Sequence, residues 1–246
     1  MTKIWLFGGR SELGNSAASE LLRVSREKVS GITKIQRAPA ESLGEDCIIW
    51  APDSTQQVFN TLNNLTFSKG DIAVIAVGSI NENDSALKFK LLSRETIEEL
   101  IWINYTLPLV VTSEVSKRLA VAGGGSLVVF TSAAALPPQA ENLIYSNSKR
   151  ALDSTLGFLS GSFKKSGVKI FRVRSSFSPT PLNKGRSATP LKVSSKKVGR
   201  AIGKAYLRGQ GVIWVPRIFR FVSLVLRVFP LLTLFAGKLV RRSRAS

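Results

Sequence analysis

Short apolar runs alternate with helical stretches along most of the chain. Lys3-Ile4-Trp5-Leu6-Phe7 reads as a first buried strand and Thr33 to Gln36 as a second. Cys47 to Ala51, Asp71 to Val77, Ser126 to Phe130, Val168 to Val173 and Gly211 to Val215 continue the series to seven. Helical stretches are read over Ser16 to Val24, over Arg94 to Leu119 and from about Asn142 onward. Ser194-Ser195 can cap a further helix that runs to about Leu207. Strands alternating with helices in this way predict an α/β fold with a parallel sheet covered on both faces. No internal repeat and no linker long enough to separate domains interrupts the series.

The pattern changes after Pro216. From Phe221 to Gly237 the chain is apolar over 17 residues, interrupted by Arg227 and Pro230. That falls short of the roughly 20 residues a spanning helix needs. Arg220, Ser223 and Arg227 fall on one helical stripe, and Phe221, Val222, Leu224, Val225, Leu226 and Val228 fill the rest. Lys238, Arg241, Arg242 and Arg244 follow. This is the pattern of an interfacial amphipathic helix with a polybasic end, suited to an anionic leaflet. A helix packed on the domain or at a dimer contact is the competing reading.

Charge sharpens that division. The chain of 246 residues carries a net +19, from 35 Lys and Arg against 16 Asp and Glu. Residues 1–153 hold 15 basic and 16 acidic residues, whereas residues 154–246 hold 20 basic residues and no acid. So basic a region seeks anions: nucleic acid, acidic lipid or a phosphorylated substrate. No basic-aromatic reading motif accompanies the charge, so nucleic acid is not the expected partner. There is no histidine and one cysteine, Cys47. Ser-His-Asp and Cys-His catalysis, His-ligated metals, cysteine-rich zinc sites and internal disulfides are therefore excluded, and no metal is expected. Any acid or base must be Tyr, Lys, Asp, Glu or Cys47. The first apolar run, Ile4 to Phe7, is too short for a secretory signal. A cytoplasmic protein, peripheral on the cell membrane, is expected.

Three residues around the fifth strand can act together. Ser132 stands where the strand ends, Tyr145 lies thirteen residues on, and Lys149 four beyond that. Positions four apart share a helix face, so the Lys149 ammonium can lie near the Tyr145 phenol. A nearby cation favours the ionised phenol and lowers a pKa that is otherwise about 10. Such a tyrosine can exchange a proton near neutral pH. Ser132 could hold a carbonyl oxygen within its reach.

A second constellation surrounds the first strand. Gly8-Gly9-Arg10-Ser11-Glu12-Leu13-Gly14 joins that strand to a helix, the context a dinucleotide phosphate loop needs. Glu12 stands where the usual middle glycine would be. No acidic residue ends the second strand to bind a ribose 2′-hydroxyl. Arg37 and Arg10 could instead meet a 2′-phosphate, which leans towards NADPH. Asp53 is placed to bond an adenine amine, and Gly78 to let the backbone pass close to the cofactor. Asn104, inside an apolar helical stretch, needs partners.

In order and spacing, Gly8-Gly9…Gly14, Asn104, Ser132, Tyr145-x-x-x-Lys149 and Thr180 resemble the short-chain dehydrogenase/reductase family over nearly the whole chain. The resemblance implies a single doubly wound Rossmann domain over residues 1–216 that uses NADH or NADPH, with a basic apolar extension at 217–246. It implies that Tyr145 donates the proton, Ser132 holds the carbonyl oxygen, and Lys149 binds the nicotinamide ribose and lowers the Tyr pKa. Asn104 would anchor a relay water and Thr180 contact the carboxamide. Ser175-Ser176 and Ala76-Val77-Gly78-Ser79 depart from the family's Pro-Gly and Asn-Asn-Ala-Gly.

A narrower set resembles the reductase component of decaprenylphosphoryl-ribose 2′-epimerase: Gly-Gly-x-Ser-Glu-Leu-Gly, Ile103-Asn104-Tyr105-Thr106, Thr131-Ser132-Ala133-Ala134, Tyr145 to Asp153, and Val212 to Arg220. This implies reduction of a keto group on a lipid-phosphate pentose for arabinan precursor synthesis, with NADH. It also implies a flavin-dependent oxidase partner; an anionic membrane surface, read from the basic tail, and a homo-oligomer are expected. Another apolar ketone, of sterol or acyl type, or a non-enzymatic NAD(P)-binding sensor, are the alternatives. The coenzyme stays open between NADH and NADPH.

Overall fold

A computed structural model describes residues 2–25, 29–37, 46–85, 88–133, 142–176, 178–179 and 192–228. Strand and helix alternate as β1 (Thr2–Phe7), α1 (Glu12–Val24), β2 (Val29–Gln36), β3 (Cys47–Ile49), α2 (Thr55–Asn63) and β4 (Ile72–Ile75). Then come α3 (Arg94–Ile101), α4 (Leu107–Val121), β5 (Gly125–Phe130), α5 (Leu143–Phe163), β6 (Val168–Ser175), α6 (Ser195–Leu207), β7 (Val212–Val215) and α7 (Phe219–Val228). The seven strands form one sheet in the order β3-β2-β1-β4-β5-β6-β7. Every neighbouring pair is parallel. This is a Rossmann-type doubly wound domain.

The two faces follow from strand alternation. In β1, Trp5 and Phe7 pack with Val58 and Leu62 of α2, Val111 and Val115 of α4, and Leu152 and Leu156 of α5. Ile4 and Leu6 point the other way, to Ala17, Ala18 and Leu21 of α1 and Val198 and Ile202 of α6. Both faces are covered, so the middle of the sheet is almost wholly apolar: Ile4 to Phe7 of β1, Ile72 to Ile75 of β4 and Leu127 to Phe130 of β5 are buried.

Three elements differ from the sequence reading. α1 begins at Glu12 rather than Ser16, because the Ser11 side chain caps it by accepting from Gly14 N. α2 was not anticipated; its cap is Ser54, which accepts from Gln57 N. The helix expected over Arg94 to Leu119 is interrupted by a π turn, Trp102–Thr106. Strand ends shift too: β2 is longer than expected, and β3 and β4 are shorter. Among the described residues no distinct extension sets itself apart after β7. A tight turn, with Phe219 N bonded to Pro216 O, leads straight into α7.

Candidate active site

The strand order reverses between β1 and β4, so a crevice opens beyond their C-terminal ends. The loops after these strands touch there. Gly8 has φ +93°, and a Cβ on it would lie 2.7 Å from the Ala76 carbonyl oxygen. Only glycine suits that conformation and that approach. A Cβ on Gly14 would lie 2.7 Å from Ala76 Cβ and 2.9 Å from Leu6 Cδ1, so α1 sits directly against the sheet. Asn15, which the sequence reading missed, ties the turn together by donating to Gly9 O at 2.6 Å and Ser11 O at 2.9 Å. Ser11 occupies Gly14 N, while helix geometry leaves the Glu12 and Leu13 N–H groups without partners inside α1. These open donors and the positive end of the helix dipole suit a pyrophosphate. Arg10 and Glu12 are exposed at its rim.

Arg37 and Asp53 had been given separate duties, one to a 2′-phosphate and the other to adenine. They are ion-paired with each other, and both are about half exposed. With the carboxylate beside the guanidinium, nothing in this geometry singles out NADPH through Arg37.

The π turn presents Asn104 to the loop after β4. Asn104 is fully buried. Its Nδ2 donates to Ser79 O at 2.8 Å and to Leu100 O at 2.9 Å, and its Oδ1 accepts from Ser79 N at 3.1 Å. The extra residue of a π turn swings one side chain out of α-helical register. Here that side chain pairs with both backbone groups of Ser79.

Lys149, on α5, is 2 % exposed. Its Nζ donates to Val77 O at 3.0 Å and to Phe130 O at 3.4 Å. It therefore joins the end of β4 to the end of β5, two residues before the buried Ser132. Burial pushes its ammonium down to about 8. Gly78 lies between the two groups: a Cβ there would be 3.3 Å from Asn104 Oδ1 and 3.5 Å from Lys149 Nζ. Tyr145 stands one helical turn before Lys149, half-buried in the first turn of α5. Gly78, Asn104, Lys149 and the strand end at Ser132 thus converge, with Tyr145 on the helix that carries Lys149. Thr180 lies outside the described residues.

Two further groups brace this cluster. Asp84, buried in the loop after β4, accepts from Ile144 N and Tyr145 N. Asp153, one turn beyond Lys149, takes Arg174 Nε at 2.8 Å, Arg172 Nη1 at 3.4 Å and Thr131 Oγ1 at 3.1 Å. Arg174 in turn stacks on Trp214, 4.6 Å from its centroid. Neither role had a local sequence signal, since the partners lie 60 and about 20 positions away. Among the described residues, no group of three or more His, Cys, Asp or Glu side chains is placed to hold a metal.

Residues 4–190 match the short chain dehydrogenase family. An uncharacterized oxidoreductase of Mycobacterium tuberculosis is 24% identical over 241 residues, 92% of each chain. A short-chain dehydrogenase of Burkholderia cenocepacia, solved in complex with NADP, shares the fold at TM-score 0.77 with 15% identity, over 96% of this chain and 97% of that one. A 3-oxoacyl-[acyl-carrier protein] reductase of Brucella melitensis, solved in complex with NAD, does so at TM-score 0.69 with 18% identity, over 87% and 94%.

Proposed function

The chain belongs to the short-chain dehydrogenase family and is an NAD(P)-dependent oxidoreductase; on that premise we propose that it reduces a keto group on a lipid-phosphate-linked pentose, converting a decaprenylphospho-2-keto-pentofuranose to the arabinofuranose. The observation that carries the chemistry is the meeting of Asn104 and Lys149 on either side of Gly78. A non-enzymatic sensor is set aside by that membership.

The residues fit the coenzyme. Gly8, Gly9 and Gly14 let the turn and α1 pack tightly on the sheet, where a Cβ on Gly9 would lie 2.6 Å from Gln36 Oε1, so that the N-terminus of α1 faces the crevice. Arg10, Ser11, Glu12 and Leu13 shape the mouth of α1 over the pyrophosphate, and Arg37 with Asp53 borders the adenosine end. A nicotinamide coenzyme, when bound there, would supply the hydride. Ser132 holds the carbonyl oxygen, and Tyr145 gives that oxygen its proton. Lys149, fixed by two carbonyls, holds the ribose and favours the ionised phenol. Asn104 keeps the Ser79 loop in place beside it.

The lipid-phosphate substrate is supported by the sequence resemblance and by α7. Phe221 and Leu224 there are 65% and 60% exposed, beside exposed Arg217 and Arg220. No helix among the described residues is long and apolar enough to cross a membrane. An apolar face rimmed by arginines suits peripheral docking on an anionic leaflet, where a polyprenyl phosphate resides. The same face would serve a sterol or acyl ketone, the second reading.

Following NADH and NADPH absorbance in parallel tests the substrate. Oxidation is expected with a polyprenyl-phosphate 2-ketopentose and not with simple apolar ketones. Oxidation only with the latter would remove the sugar and leave the second reading.

A further inference from the structure

An α-helix begins with N–H groups that nothing inside it can satisfy. In α5 these belong to Leu143, Ile144 and Tyr145; the next, Ser146 N, bonds Asn142 O at 2.8 Å. One residue, Asp84, satisfies all three. Its Oδ1 accepts from Ile144 N at 2.7 Å, its Oδ2 from Tyr145 N at 2.9 Å, and its backbone oxygen from Leu143 N at 3.3 Å. Asp84 is 0% exposed. Charge-assisted bonds of this kind are about twice as strong as neutral ones, and a carboxylate here also meets the positive end of the helix dipole.

A cap is usually the residue just before its helix. Such a cap would steady α5 without fixing where the helix starts in the fold. Asp84 comes from the loop after β4, and that loop is itself held. Asp84 N bonds Asn81 O at 3.1 Å, and Asn83 N bonds Asn81 Oδ1 at 2.8 Å. Earlier in the same segment, Ser79 is paired with Asn104, and Val77 O accepts from Lys149. Residues 77 to 84 therefore touch Lys149, Asn104 and the first turn of α5 in succession.

We propose that Asp84 is a positioning residue for Tyr145: it fixes the first turn of the catalytic helix to the cofactor-side loop and so sets where the phenol stands. This rests on Tyr145 being the proton donor. A group displaced by about 1 Å can lose on the order of 100-fold in rate. The cost of losing Asp84 should therefore fall on kcat, and should act only through Tyr145.

The test is a double-mutant cycle of Asp84→Ala and Tyr145→Phe. It is read in single-turnover NAD(P)H oxidation with whichever ketone, lipid-phosphate 2-ketopentose or simple, the wild type uses fastest. Asp84→Ala should lower the rate roughly 10- to 100-fold while coenzyme Kd, read by nicotinamide fluorescence, stays within about twofold. Added to Tyr145→Phe, it should cause no further loss. Asp84→Asn keeps one acceptor oxygen and should fall between wild type and Asp84→Ala; it carries the cycle if the alanine variant does not fold. An unchanged rate in Asp84→Ala, or the same proportional loss in the Tyr145→Phe background, overturns the proposal. Full turnover in Tyr145→Phe would instead strike the reading of Tyr145 itself.

Discussion

Lys149 shows how much one residue can be asked to do. A buried ammonium is costly, and this one donates to two backbone carbonyls, Val77 O and Phe130 O. Its pKa falls from 10.5 to about 8 through desolvation. The sign of the linkage follows. The folded protein releases this proton before the unfolded chain does, so the group's contribution to stability is full above about 10.5 and lost as pH falls through about 8. Comparing wild type with Lys149→Met isolates the effect: the Tm difference should move in favour of wild type between pH 7.5 and 9.5. A difference independent of pH would contradict the burial. The same crowding makes Gly78→Ala informative. A methyl there would stand 3.3 Å from Asn104 Oδ1, which must give by a few tenths of an ångström, and in ordinary contact with Lys149 Nζ at 3.5 Å. Turnover should fall at least tenfold, with Tm shifted by only a few degrees. Unchanged turnover would mean that the two groups can yield without cost to the chemistry.

At the scale of the element, the helices carry what the strands cannot. α1 and α6 meet through small residues: a Cβ on Gly199 would lie 2.5 Å from Ser16 Oγ and 2.6 Å from the Ser16 backbone oxygen. The backbone contact cannot rotate away, so Gly199→Ala should destabilise by about 1–3 kcal/mol. Chemical denaturation would read that as a lower midpoint at unchanged slope. The π turn is a different case. The sequence offers one apolar helical run from Arg94 to Leu119, and only Asn104 hints that something interrupts it. A buried amide needs partners, but which ones depends on the Ser79 loop 25 positions away. α7 follows β7 through one turn, without the distinct amphipathic extension that the sequence pattern predicts. If it docks on an anionic leaflet, Phe221→Asp with Leu224→Asp should abolish co-pelleting with phosphatidylglycerol vesicles and leave oxidation of NAD(P)H with a soluble ketone intact. Retained pelleting would move the membrane contact elsewhere.

Over the whole molecule, the parallel sheet was legible because its middle strands, buried on both faces, hold runs with no polar residue. Ile4 to Phe7 and Leu127 to Phe130 could scarcely be anything else. Motif residues at strand ends, Gly8, Gly78 and Ser132, were legible for the related reason that their spacing from the strands is fixed. Long-range polar pairing was not. Arg37 and Asp53 read as two ligand contacts because nothing in either local sequence says that β2 and the loop before α2 bring them together. Asp84 and Asp153 carry no local signal of their buried roles for the same reason. Their burial is decided by partners 19 to 61 residues distant. The charge asymmetry belongs to this scale as well. In the proposed membrane contact Phe221 and its neighbours would supply apolar area, and the basic half a long-range attraction that salt should weaken.

The central claim is that Tyr145 passes a proton to a carbonyl oxygen in a pocket that binds the coenzyme without its help. Stopped-flow absorbance of NAD(P)H with Tyr145→Phe, alongside its coenzyme Kd, tests this most directly. The account predicts a rate lowered by at least about 100-fold with Kd essentially unchanged. A variant that turns over at the wild-type rate would contradict it.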